Sequence, residues 1–417
     1  MGKIEDHRAS NTKIKLVDAL MSGYAIFSLK DSSLLAFDKR REEGEDNLKK
    51  IYGIKEVPSD SQLRNIIEEV EWEKLRPLFK NILEEVRRSG LLESYRYLGR
   101  YYILSVDGTG CFSSEEINCQ NCLIRHNSKT GKARYEHKLL GAAIVHPEKK
   151  EVLALCPEPI IKKDGTEKND CELNAAKRLF AKVREDYPYM PFLVVEDGLY
   201  ANAPHIKMLR KHHLEFILLV KEGDHKYLFN YVKEAEREGK TRKHSFKEGK
   251  LEHRFHYIND VPLNESNQDV RVNFLEYWQI SATETKHWCW VISLTISAHI
   301  LDPLRRAGRA RWKIENETFN TLKNQGYHYT HNYGHGQNNL ATNFSLLMTL
   351  AFTVDQIQQL GYPIFQKALA LAGSRKLLWE RIWALFFVLP FASMSDILKA
   401  LVYGYAIKGF VIKQTPL

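Results

Sequence analysis

The sequence predicts a mixed α/β fold: a helical N-terminal region, a mixed sheet flanked by helices, and an inserted antiparallel β region. Three observations carry this. Residues 1–98 hold few strand signals but several stretches with apolar residues at helical spacing. From Tyr101 onward, short apolar runs bounded by Gly, Pro and charged residues alternate with helical patterns. Between Lys221 and Ile300 that alternation gives way to β-like runs separated by Asn- and Pro-containing turns.

In the N-terminal region, Lys13–Leu29 places Ile14, Leu16, Val17, Leu20 and Met21 at helical spacing. Pro58-Ser59-Asp60 opens a second helix with capping side chains, followed by Ile66, Ile67 and Val70 on one face. A third helix follows Pro77, with Leu78, Phe79, Ile82, Leu83 and Val86 as its stripe. Lys39, Arg40, Arg41, Lys49 and Lys50 surround an acidic run between the first two. Spacing alone leaves two readings open, a DNA-binding module or a solvated bundle packed on the main domain.

The core begins with the strand Tyr102–Val106, which runs into the turn signal Asp107-Gly108-Thr109-Gly110. Leu139–Val145 and Val152–Leu155 are two further strands, and Cys171–Arg184 is a helix for which Asn169 or Asp170 is the expected N-cap. Phe192–Val195 is the next strand, ending in Glu196-Asp197-Gly198; a helix over Ala203–His212 leads to the strand Phe216–Val220. Consecutive strands favour antiparallel pairing and strands separated by helices favour parallel crossovers, hence a mixed sheet. Asp107 and Asp197 are both expected at the exit of a hydrophobic strand. One such Asp-Gly is most often only a turn, but two on neighbouring strands are placed to share a divalent cation, which prefers carboxylate oxygens.

The expected β insertion comprises Glu252–Ile258, Val270–Ile280 and Lys286–Ile296. It opens with Lys240, Arg242, Lys243, His244 and Lys247 and is rich in aromatics, a combination suited to phosphate contacts and base stacking. Most of those aromatics alternate along strands as core residues do; Trp278 and Trp288 are the candidates for exposure. The stretch Arg311–Lys323 then reads as an amphipathic helix, with Ile314, Thr318 and Leu322 at i, i+4, i+8. Arg311 and Glu315 lie one turn apart, which taken alone is a surface ion pair worth about 0.2–0.5 kcal/mol.

Composition sets limits on these readings. The 417 residues carry 61 Lys plus Arg against 52 Asp plus Glu, a net charge of +9 and a pI near 9.0, which favours a polyanionic partner, nucleic acid before membrane. Met1–Asn11 is polar and charged, so no signal peptide is expected. The apolar run Ile382–Met394 is interrupted by Pro390 and falls short of the ~20 residues a bilayer span needs, so no membrane partner is expected. Six cysteines in a chain of this length point to a reduced, cytoplasmic protein. Among them, Cys119-x2-Cys122, with Cys111, His126 and His137 nearby, is either a small Zn²⁺ site or a pair of incidental thiols. Tyr327–Gly336 interleaves Tyr and His and reads as a loop beside the Arg311–Lys323 helix; the apolar helical tail after Leu340 packs on the core or joins protomers.

Three words of the sequence carry a resemblance: Ser105-Val106-Asp107-Gly108-Thr109, Val195-Glu196-Asp197-Gly198-Leu199-Tyr200, and Arg311-Trp312-Lys313-Ile314-Glu315-Asn316-Glu317. Over residues 20–370 the chain resembles the DDE transposases of bacterial insertion sequences, near the large family numbered four. That resemblance implies an RNase H-like core in which Asp107, Asp197 and Glu315 are the catalytic acids and hold two Mg²⁺ ions, with Mn²⁺ a substitute. It implies cleavage and strand transfer at transposon ends by in-line displacement at phosphorus, with Arg311 at a phosphate. The family signature Tyr-x2-Arg-x3-Glu-x6-Lys is matched at Arg311 and Glu315; Gly308 stands where Tyr is expected, and Lys323 lies one residue past a position held by Leu322. Glu317 competes with Glu315, but two residues on an α-helix point about 200° apart, and Glu315 keeps register with Arg311.

Arg311, Lys323, Trp278, Tyr327 and His335 are the expected DNA contacts. The expected partners are transposon ends and target DNA, in a homodimeric active complex in the cytoplasm, on the nucleoid when DNA is bound. The expected divisions are a helical region (1–98), the first part of the core (99–221), a β insertion (222–300), the end of the core (301–371) and a helical tail (372–417). Two other functions remain open at this point: a nuclease that cuts without joining, and an inactive DNA-binding relative.

Overall fold

The computed structural model describes residues 1–9, 11–162, 170–331 and 333–404. The chain opens with α1 (Leu16–Ser28), α2 (Leu34–Arg40), α3 (Glu45–Tyr52), α4 (Asp60–Glu68) and α5 (Arg76–Arg88). The central part runs β1 (Arg96–Tyr97), β2 (Tyr101–Ser114), β3 (Leu123–His126), β4 (Ala133–Val145), β5 (Leu153–Ala154), β6 (Glu158–Ile160), α6 (Glu172–Asp186), β7 (Phe192–Glu196), α7 (Ala203–Lys211) and β8 (Glu215–Val220). Then come α8 (Lys226–Arg237), β9 (Arg242–Glu248), β10 (Leu251–Pro262), β11 (Arg271–Ile280), β12 (Thr285–Ile292) and α9 (Leu301–Arg309). A π-helix over Ile314–Phe319 continues into α10 (Asn320–Asn324), and α11 (Leu340–Gly361), α12 (Pro363–Ala372), α13 (Arg375–Val388) and α14 (Met394–Tyr403) complete the chain.

The predicted mixed α/β class holds. One 12-stranded sheet runs β3-β4-β2-β7-β8-β12-β11-β10-β9, with β5 and β6 on β4. β2, β7 and β8 are parallel neighbours, and β4 lies antiparallel to β2, so the centre is a mixed sheet. Side-chain alternation divides the core between the two faces. Ile103, Leu193, Val195 and Ile217 pack under α1, α9, the π-helix and α11, whereas Leu104, Val106, Val194 and Phe216 pack under α6 and α7.

Several expectations change. Asp107-Gly108-Thr109-Gly110 is not a turn: β2 continues through it to Ser114, pairing Asp107 with Gly141 and Gly108 with Leu140. Neither glycine has positive φ, so neither serves a chain reversal, and at Gly108 the missing side chain makes room for Glu172. The β-rich stretch after Val220 is antiparallel, as expected, and β12 also pairs with β8, so the stretch carries the core sheet onward. Within it, α8 and β9 escaped the sequence reading. β9 is the exposed edge strand, and its Lys and Arg residues also serve to discourage edge pairing. At the start of α6 the N-cap position is Cys171, with no side-chain cap. Asp170 instead pairs with Arg178, and Lys168 and Asn169 lie outside the described residues.

The N-terminal and C-terminal helices pack on one another around α11, and buried polar groups fix the contact. Lys30 Nζ lies 2.6 Å from Asp355 on α11 and 3.9–4.0 Å from the ring centroids of Trp379 and Tyr327. Asn47 donates to the carbonyls of Phe386 and Leu389 and accepts from Phe391 N. α11 is long and apolar enough to cross a membrane, yet 83% of its most apolar window is buried inside this protein. Breaking a buried pair strands a charge: Asp355→Ala is expected to cost about 3–5 kcal/mol in urea unfolding, and Lys30→Met with Asp355→Leu to restore most of it. Equal stability of the single and double variants would show that the pair does not lock the helices.

Candidate active site

Asp107 and Asp197 follow the paired stretches of two neighbouring parallel strands, and Glu315 reaches Asp107 from the π-helix. The β2–β7 ladder pairs Ile103 with Leu193 and Ser105 with Val195. Two residues further along each strand, Asp107 and Asp197 hold matching positions, and parallel neighbours lie about 4.8 Å apart. Asp197 follows the end of β7 and caps the next turn, its carboxylate accepting from Leu199 N at 3.0 Å. Beneath it, the buried Glu196 is paired with His205 at 2.7 Å, which fixes the strand end.

Glu315 comes from the π-helix. Ser105 Oγ donates to the Arg311 carbonyl at 2.8 Å and docks the start of that segment on β2. Arg311 Nη1 then lies 2.6 Å from Glu315 Oε1 and 3.4 Å from Asp107 Oδ2, one guanidinium between two carboxylates. The expected regular α-helix is widened here. The wider turn buries Phe319 as well as Thr318, and the Phe319 ring sits where a Cβ on Gly141 would meet it at 2.9 Å. Gly141 is the strand partner of Asp107, so its missing side chain lets the π-helix settle against the acids. Glu317 is on another side, interacting with Lys313, whose Nζ reaches the Lys149 carbonyl at 2.5 Å.

The electrostatics mark a crowded anionic site. Burial, then a hydrogen bond shared with Glu315, push the Asp107 carboxyl up to about 7, against the pull of Gly108 N–H and Arg311. A fourth acid, Glu172 at the start of α6, lies against Gly108, where a Cβ would fall 2.6 Å from its Oε1. Sequence reading passed over Glu172 as part of a helix start; a first-turn carboxylate carries no mark of what the helix points at. The Tyr200 hydroxyl is buried near Glu196, Glu172, Asp197 and Asp107, and burial drives its pKa far up.

The other residues expected at DNA are dispersed. Tyr327 is buried, and its hydroxyl bonds to Asp355, so it supports the helix packing and presents nothing to a ligand. His335 is also buried, against Cys122 and His137. Both lie in the loop after α10, whose tyrosines fold inward because Tyr327, Tyr329 and Tyr333 are its hydrophobic anchors. Trp278 is half-buried, stacked on His287 at 5.0 Å, on the wall of a cavity of about 1370 Å³ that Lys221, Lys243 and Arg254 also line. Trp288 is half-buried beneath the Arg309 guanidinium, and Lys323 is half-buried at the end of α10. Trp312, next to Arg311, is exposed and lies under its guanidinium at 4.8 Å. Gly308 explains the missing tyrosine: a Cβ there would meet the buried Trp290 ring at 2.9 Å, leaving no room for any larger side chain.

The transposase DDE domain family matches residues 119–353, more than half of the chain; Asp197 and Glu315 fall inside that segment and Asp107 just before it. No curated protein matches the chain. Among solved structures, the chain is similar to a piggyBac transposase in a synaptic complex with hairpin DNA, at 11% identity and a TM-score of 0.40, over 98% of this chain and 78% of that one.

Two outcomes follow from the crowding. A carboxyl with a raised pKa costs stability as pH rises from its unfolded value near 4 to about 7. Asp107→Asn is therefore expected to raise stability at pH 8, without added divalent cations, by about 1–2 kcal/mol after discounting for partial exposure, and to change it little at pH 4. A melting temperature unchanged at pH 8 would contradict the crowding. Gly308→Ala is expected to lose about 1–3 kcal/mol through overpacking against Trp290, read by thermal unfolding.

Proposed function

The chain belongs to the transposase DDE domain family and is a DNA transposase, and we propose that Asp107, Asp197 and Glu315 are its catalytic acids. One observation carries the assignment: Arg311 joins Asp107 and Glu315 beside Asp197, which sits in matching register on the neighbouring parallel strand. The donor set is all carboxylate oxygen and the negative charge is crowded enough to raise Asp107, which fits a hard divalent cation. Asp107, Asp197 and Glu315 would hold two Mg²⁺ ions, with Mn²⁺ as a substitute. Bound there, such a pair would supply Lewis-acid activation of a water or 3′-hydroxyl and charge stabilisation for the leaving oxygen in an in-line displacement at phosphorus.

The protein's own residues orient the reaction. Arg311, tethered to both acids, presents guanidinium N–H groups for bidentate contact with a DNA phosphate. Ser105 and Gly141 set the height of Glu315 above the sheet by holding the segment that bears it. Leu199 N–H and the Glu196–His205 pair orient Asp197. Trp312, exposed beside Arg311, is placed to lie along DNA at the site, and Lys323 extends the same segment.

The proposed substrates are the transposon ends and target DNA, handled by a homodimer in the active complex. All six cysteines are free thiols, which suits a cytoplasmic setting. Residues 1–98 are proposed as a DNA-contacting region and 372–417 as a tail that supports the assembly. Asp107→Asn, Asp197→Asn and Glu315→Gln are each expected to cut cleavage and strand transfer of labelled transposon ends at least about 10³-fold while end binding persists. Glu317→Gln is expected to retain activity. Cleaved but never joined products would assign a nuclease, and binding alone by the unaltered protein an inactive relative.

A further inference from the structure

Away from the acids, four side chains converge whose chemistry the strand-transfer reaction does not use. Cys119 and Cys122 lie in the connection between β2 and β3, His137 is on β4, and His335 is in the loop between α10 and α11. One ligand atom from each lies within 4.8 Å of all the others. The separations are 3.8 Å for Cys119 Sγ to Cys122 Sγ, 3.3 Å for Cys119 Sγ to His137 Nε2, 3.3 Å for Cys122 Sγ to His335 Nε2, and 3.1 Å between the two Nε2 atoms. A tetrahedron with Zn–S of about 2.3 Å and Zn–N of about 2.0–2.1 Å has edges of about 3.8 Å between sulfurs, 3.3–3.4 Å between nitrogens and 3.5–3.6 Å between the two kinds. These four of the six edges match within about 0.3 Å, and the other two lie within 4.8 Å. A disulfide does not fit, since it needs sulfurs about 2.05 Å apart.

The surroundings orient the ligands. His335 Nδ1 donates to the Gly336 carbonyl at 2.8 Å, which leaves its Nε2 lone pair facing the cluster. Gly336 has φ +66°, and a Cβ there would meet Glu68 Oε1 and Leu340 Cβ, each at 2.7 Å, so the turn behind His335 demands glycine. Cys122, His137 and His335 are buried, and the Phe112 ring packs on His335 at 4.4 Å. Asn121 donates to the Asn338 carbonyl at 2.9 Å, closing the same two segments together.

We propose that Cys119, Cys122, His137 and His335 form a closed, structural Cys2His2 zinc site that clamps the loop following the Glu315-bearing segment to the β2–β4 hairpin. Two thiolates and two imidazoles suit zinc, and four protein ligands leave no open position for chemistry. Two ligands come from one short loop and the fourth from nearly two hundred residues on, so the metal closes a large loop of chain. Among the described residues, 325–331 and 333–339 hold no helix or strand; the clamp gives this connection a fixed anchor between α10 and α11.

The test uses the full chain, produced with zinc in the medium and purified without chelators. Elemental analysis is expected to find about one zinc per chain, and Cys119 and Cys122 to alkylate at least about 10-fold more slowly than after chelation, as read by peptide mass spectrometry. Cys122→Ser and His335→Gln are expected to lose zinc at least about 10-fold, His335→Cys to retain it, and chelation to speed proteolysis between residues 325 and 339. Should the first two variants fail to fold, alkylation and Co²⁺ substitution of the unaltered protein decide, the latter by the visible absorption of a tetrahedral thiolate site. Zinc far below one per chain after zinc supplementation, a Cys119–Cys122 disulfide, alkylation indifferent to chelation, or another metal in the site would each overturn the proposal.

Discussion

One guanidinium between two carboxylates organises this molecule. Arg311 reaches Glu315 four residues along its own segment and Asp107 204 residues earlier in the chain. Packing acids together in a half-buried place is unfavourable, as the raised Asp107 carboxyl records, and a cation between them offsets part of that cost. Everything nearby serves the placement: the Ser105 hydroxyl under the Arg311 carbonyl, Gly141 beneath Phe319, and the parallel register that puts Asp197 level with Asp107. Charge is concentrated at this point, and the surrounding layers hold it there.

Those layers come from both ends of the chain. Helices before β1 and after α10 share one apolar core with the face of the sheet that carries the acids. Polar groups specify how they meet: Lys30 with Asp355 and Tyr327, and Asn47 with the end of α13. The four Cys and His ligand atoms act on the same connection from its other side, since His335 and Tyr327 belong to one loop. The segment bearing Glu315 is therefore bounded by a docked start at Ser105 and an anchored exit at Tyr327 and His335.

Much of this was readable in the residues. Helical spacing located α1, α4 and α5, and apolar runs located β4, β7 and β8, because burial on one face leaves a periodic trace. The candidate acids were singled out by the words around them, and Glu315 was preferred to Glu317 for its register with Arg311. What failed did so for tertiary reasons. Asp107-Gly108-Thr109-Gly110 has the composition of a turn but lies inside a strand, Gly108 making room for Glu172. Tyr327 and His335 were read as polar aromatics for DNA, yet the loop turns them inward, where a hydroxyl finds Asp355 and an imidazole finds two thiols.

By itself, then, the sequence determined the class of the fold and the alternation of its core and singled out the candidate acids, since these depend on spacing along the chain and on the chemistry of single side chains. Only the tertiary structure decided that the β-rich stretch extends the core sheet, that the Arg311–Lys323 helix widens into a π-turn, that Gly308 excludes a tyrosine because Trp290 lies against it, and that Cys119 and Cys122 meet His335. Each depends on which surfaces lie opposite one another after folding. Such neighbours leave no periodic trace in the residues that will touch. Arg311 needed both kinds of information: its spacing from Glu315 is written in the chain, and its reach to Asp107 exists only once β2 lies beneath it.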